Sequence, residues 1–126
     1  MGKLILSSLA ILGLALISAV ALPASTTLRV IAVQTSDIKT YRHELDSLQG
    51  EFKKEGLPVT LRVWHATYAG PDTGTIIVTV EVPDLATLAK VEDAVAKPNS
   101  PLAATMKRIE AIRKITSDSL YEEVNP

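Results

Sequence analysis

Five side chains in this sequence have the chemistry to hold a small molecule: Arg29, Arg62, Trp64, Tyr68 and Glu81. The two guanidiniums can orient an anion. The indole and the phenol offer flat apolar area with a polar edge. Glu81 is the one carboxylate among them, and an ion pair with Arg62 would hold it rather than leave it poised as a base. No catalytic step can be assigned to any of the five. The remaining chemistry is sparse. Two His, His43 and His65, fall on different elements, and without Cys or clustered acids they make no metal site. The chain has no Cys, so thiolate catalysis, iron–sulfur clusters and disulfides are all excluded. No Ser–His–Asp spacing or nucleophile elbow is present. No cofactor is expected.

Trp64, His65 and Tyr68 sit in "VWHATYAGPDTG", Val63 to Gly74. Pro71, Asp72 and Gly74 suit successive turn positions, so "AGPDTG" reads as a hairpin connection. A Gly-rich phosphate loop needs a helix after it, and here a strand follows.

The elements that must position these residues follow from periodicity. Leu28–Gln34 is β-branched and apolar, a first strand. Ser36 and Asp37 open a helix, as cap and first-turn acid. Ile38, Tyr41, Leu45, Leu48 and Phe52 form one apolar stripe along it. Gly56 and Pro58 end that helix. Val59–Tyr68 is the second strand and Thr75–Val82 the third. Pro83 and Asp84 end the third strand and start a helix with Leu85, Leu88, Val91 and Val95 inward. "KPNSP" breaks it, and Ser100 and Pro101 begin another, with Leu102, Met106, Ile109 and Ile112 inward to about Lys114. Thr116–Val124 is a last strand. The order is β-α-β-β-α-α-β: an α+β, ferredoxin-like split βαβ with an antiparallel four-stranded sheet and helices on one face.

Strand parity assigns the faces. In the third strand Ile76, Val78, Val80 and Val82 are purely aliphatic and should meet the helices. Leu61 and Val63 share that side, which puts Arg62, Trp64 and Tyr68 on the other and His65 under the helices. If Tyr68 pairs with Thr75, Arg62 lies opposite Glu81. Val30 and Ala32 are expected toward the helices, and Arg29, Ile31 and Val33 on the reverse. That reverse face is too apolar for water: each large side chain covered would recover roughly 1.5–3 kcal/mol. A second copy can cover it, so a homodimer with sheets face to face is expected, enclosing a partly polar space for a ligand.

The chain has 126 residues, enough for one domain. Its first residues, "MGKLILSSLAILGLALISAV", combine an early Lys3, an apolar run and then the small residues "AVA" at Ala19–Ala21. That is a secretory signal peptide over residues 1–21, cut after Ala21 or Ala24, with an uncleaved membrane anchor as the alternative. Residues 22–126 are the domain, periplasmic or secreted, with no membrane partner once the signal is cut. The net charge of −1 gives no basic face for nucleic acid.

The element order and the run "VWHATYAGPDTGTIIVTVEVPDLATL" resemble the dimeric α/β-barrel superfamily, which includes antibiotic-biosynthesis-monooxygenase-like and NIPSNAP-like proteins. The resemblance implies a dimer whose sheets form a barrel-like cavity. Members bind haem, oxidise small aromatics without a cofactor, or have no assigned activity. The haem-degrading members combine an Asn, a Trp and a His. Trp64 has no matching Asn, since Asn99 lies in a helix break and Asn125 at the tail, which argues against haem oxidation. Three roles stay open: a ligand-binding dimer, a cofactor-independent monooxygenase or oxidase acting on a small aromatic, and a purely structural dimer.

Overall fold

A computed structural model describes residues 25–124. The expected signal peptide, residues 1–21, lies outside the described residues. The order is β1 (Thr27–Gln34), α1 (Ile38–Lys54), β2 (Thr60–His65), a single 3-10 turn (Gly70–Asp72), β3 (Ile76–Val82), α2 (Leu85–Ala96), α3 (Pro101–Ala111) and β4 (Lys114–Glu122). The four strands form one antiparallel sheet in the order β2-β3-β1-β4. All three helices pack on one face, giving the expected ferredoxin-like fold.

Local chemistry sets the boundaries. Asp37, rather than Ser36, caps α1: its carboxylate accepts from the Thr40 backbone N–H at 3.0 Å and from the Thr40 hydroxyl at 2.7 Å. Those bonds hold the Asp37 carboxyl below the usual carboxylate range. Asp84 does the same for α2 through Thr87. Ser100 caps α3 by accepting from the Ala103 N–H, with Pro101 in the first turn as expected. At Gly56, just past α1, φ is +70°, a conformation that side chains disfavour.

The core lies between the helices and one face of the sheet. Tyr41, Leu45, Leu48 and Phe52 of α1 meet Leu88 and Val91 of α2, Leu102 and Ile109 of α3, and Ile31, Val33, Val78 and Val82 of the sheet. Two stripe members depart from expectation. Ile38 and Leu85, each the first residue of its helix, are exposed.

The first strand is turned over relative to the sequence reading. Arg29 pairs with Val80, Ile31 with Val78 and Val33 with Ile76, so these three face the helices. Leu28, Val30 and Ala32 are on the open side, opposite Glu81, Thr79 and Ile77. The strand "LRVIAV" is apolar on both parities, so its pattern carries no face information, and its partner decided.

Candidate functional site

Each expected site residue now has a place. Trp64 stands on the open face opposite Ile77, about half exposed, with its indole N–H donating to the Thr79 hydroxyl at 2.9 Å. Arg62 and Glu81 share that face and form an ion pair at 3.3 Å, both well exposed. They are diagonal rather than opposite, because Arg62 pairs with Thr79 and Thr60 with Glu81. The hairpin closes at Ala66 and Thr75, two residues earlier than a Tyr68–Thr75 pairing requires. A shift of two preserves parity, so the face assignment survives and only the neighbours change.

Tyr68 does not join the group. β2 ends at His65, and Tyr68 is 98% exposed in the connection. That connection is no tight hairpin. Ala69 N–H donates to the Thr73 hydroxyl, the 3-10 turn follows, and Gly74 at φ +90° donates back to the Ala66 carbonyl. His65 pairs with Ile76 on the helix side of β2, as parity required, but is exposed at the strand end.

Arg29 departs most from the reading. It lies on the helix side, where its Nε and Nη2 donate to the two oxygens of Asp118 on β4 at 2.9 and 2.6 Å. Its Nη1 is 3.6 Å from Glu92 on α2. The hydrogen bond from Arg29 is the main cause that holds the Asp118 carboxyl below its ordinary value of 3.8, with the charges of Arg29 and Arg113 adding to it. The same bond raises the Arg29 guanidinium further above its already high value. Arg113, between α3 and β4, donates from Nη1 to the hydroxyl of the buried Tyr41 at 3.3 Å.

Arg29, Glu92 and Arg113 also border a cavity under the helices. The cavity measures about 80 Å³. Its walls are aliphatic and aromatic, from Phe52 of α1, Val91 of α2, Met106 of α3 and Ile31 and Val80 of the sheet. Its polar lining is Arg29, Glu92 and Arg113. The sequence reading missed Glu92, Arg113 and Asp118. The one available signal was a charged residue, Arg29, inside a strand apolar on both parities, which demands a buried or half-buried counter-charge.

A second, more open groove of about 280 Å³ runs between α1 and the edge strand β2, bordered by Arg42, Asp46, Gln49, Arg62 and Trp64. Gln49 occupies part of that edge. Its amide donates to the Val59 carbonyl at 2.9 Å and accepts from the Leu61 N–H at 2.7 Å, standing in for a neighbouring strand. Among the described residues no cluster of His, Cys, Asp and Glu is arranged to hold a metal ion. No helix among them is long and apolar enough to cross a membrane.

No protein-family model matches the chain, and no curated protein matches it. A solved structure does. The chain is similar to SnoaB, a cofactor-independent oxygenase from Streptomyces nogalater, solved in a mutant form. The TM-score is 0.54 over 81% of this chain and 94% of that one, at 11% sequence identity. At that identity the likeness is one of fold, and the fold is the ferredoxin-like one derived above.

Proposed function

We propose that the chain is an exported homodimer, joined sheet to sheet as in the dimeric α/β barrels, whose subunits each bind a small, mostly apolar molecule under their helices. The observation that carries the reading is the mostly apolar cavity under the helices, with Arg29, Glu92 and Arg113 as its polar lining. That combination is the ordinary form of a ligand site: hydrocarbon walls supply affinity and a few polar groups fix orientation. The size favours a small group: an apolar cavity of about 150 Å³ binds benzene, and this one, at about 80 Å³, suits a slimmer chain.

The open face supports the dimer. Leu28, Val30, Ile77, Trp64 and Tyr121 lie on it, with Trp64 and Tyr121 each more than half exposed. Its inner charges, Arg62 and Glu81, neutralise each other, so two copies can meet across a two-fold axis without like-charge repulsion. Export rests on the apolar leader of residues 1–21.

A second placement for the ligand is the space between the two sheets, in contact with Arg62, Trp64 and Glu81. The shared open face of Arg62, Trp64 and Glu81 favours it. A cofactor-independent oxidation of a small aromatic is the corresponding enzymatic reading, favoured by the activity of the similar oxygenase.

The test is native mass spectrometry of the purified protein, with sedimentation alongside. A dimer mass carrying up to two copies of a small molecule is expected, and Trp64→Phe should retain that cargo. A stable monomer at micromolar concentration would overturn the dimer. Loss of the cargo in Trp64→Phe would move the ligand to the sheet face. Dioxygen uptake with a small phenol would convert the binding reading into the enzymatic one.

A further inference from the structure

We infer that the molecule held under the helices is a small carboxylic acid, its hydrocarbon end inside and its carboxylate at the mouth between Arg29 and Arg113. This rests on the placement of the ligand in that cavity. The donors at the mouth carry it. Arg29 commits Nε and Nη2 to Asp118, which fixes the plane of the guanidinium and leaves Nη1 directed elsewhere. Among the described residues the partner of Nη1 is Glu92 at 3.6 Å, an ion pair too long to be a hydrogen bond. Arg113 uses Nη1 on Tyr41, and its other N–H groups have no partner among the described residues. Two guanidiniums with unspent donors therefore line one apolar chamber.

Glu92 shows which charge belongs there. Its side chain is 54% exposed and hangs from the surface of α2 toward Arg29. Such an exposed, loose pair contributes little, so displacing it costs little. A ligand carboxylate would arrive with its own chain buried, and would gain charge-assisted hydrogen bonds of better geometry. Asp118 is a positioning residue in this arrangement, because it orients Arg29 and does not reach the chamber lining. A ligand amine would add a cation beside two guanidiniums and could compete only for Glu92, and an alcohol would use the unspent donors without charge assistance.

The experiment is a chemical-shift titration of the isotope-labelled protein with pentanoate, 1-pentanol and pentylamine, three probes of one chain length. Pentanoate should bind at least about tenfold more tightly than pentanol, and pentylamine should not bind. Glu92→Gln removes the resident carboxylate. It should tighten pentanoate a few-fold and leave pentanol unchanged. Arg113→Gln should erase the preference for the acid. Should that variant fail to fold, the Glu92 variant, altered at an exposed position, still decides. Equal binding of acid and alcohol would overturn the head-group assignment while leaving the cavity as a ligand site. If no probe shifts resonances of the cavity lining, both the assignment and the cavity reading fall.

Discussion

The two faces of this sheet differ in how their polar groups are handled. On the helix side, an ion pair is anchored from a strand: Arg29 reaches Asp118 with two hydrogen bonds while Ile31 and Val33 beside it are buried. On the open side, Arg62 and Glu81 meet at 3.3 Å in solvent, and Trp64 covers Thr79 without being covered itself. The first face is finished by its own chain. The second is left with apolar area that water penalises. A small domain can place its ligand site on the finished face and its partner contact on the unfinished one, and neither has to compromise the other.

The sharpest way to break the comparison is to put the same charge on adjacent residues of β1. Ile31→Asp buries an unpaired carboxylate in the core and should cost on the order of 3–5 kcal/mol in urea unfolding, enough to abolish folding in a marginal domain. Val30→Asp, one residue away, should leave a folded chain that sediments as a monomer. Equal damage from both would mean that the two faces are not distinct.

Trp64→Arg comes next in size. It sets a charge in the middle of the open face and should weaken self-association by roughly 2 kcal/mol, about thirtyfold, as read by sedimentation equilibrium. Unchanged association would remove Trp64 from the interface.

Asp118→Asn tests the anchor on the helix side. Asp118 is partly exposed, so the loss is discounted for solvent screening to about 1 kcal/mol. Its folded carboxyl lies below the unfolded value, so the stability it adds is present above about pH 4 and disappears as the pH falls through the lower, folded value. The wild type should therefore lose stability on acidification through that range more steeply than Asp118→Asn, in unfolding curves taken at a series of pH values.

The smallest effects belong to the loop that joins β2 to β3. Gly74→Ala forces a side chain to φ +90° and should cost about 1 kcal/mol or more. Asp72→Ala leaves the backbone bonds of the 3-10 turn in place and should cost within about 0.5 kcal/mol. Thermal unfolding distinguishes the two, and neither should alter pentanoate binding.

Much of this structure was legible in the chain. Helix stripes such as Tyr41–Leu45–Leu48–Phe52 repeat at one angular period, and caps such as Asp84 and Ser100 satisfy N–H groups a few residues away. The third strand, whose even positions are all aliphatic while its odd ones include Thr79 and Glu81, announced its own face, and pairing carried that to Trp64 and Arg62. These are local or nearest-neighbour facts, so the sequence by itself determined the element order, the fold class and the open placement of Trp64. The face of β1 was different, because Leu28, Val30 and Ala32 are as apolar as Ile31 and Val33. Only its pairing with β3 could break that tie. Nor could the chain reveal that Arg29, Glu92 and Arg113 border one cavity, with Asp118 holding Arg29 in place. The four come from two strands, a helix and a connection up to 89 positions apart, and only the packing of the sheet against the helices brings their charges within reach of one another.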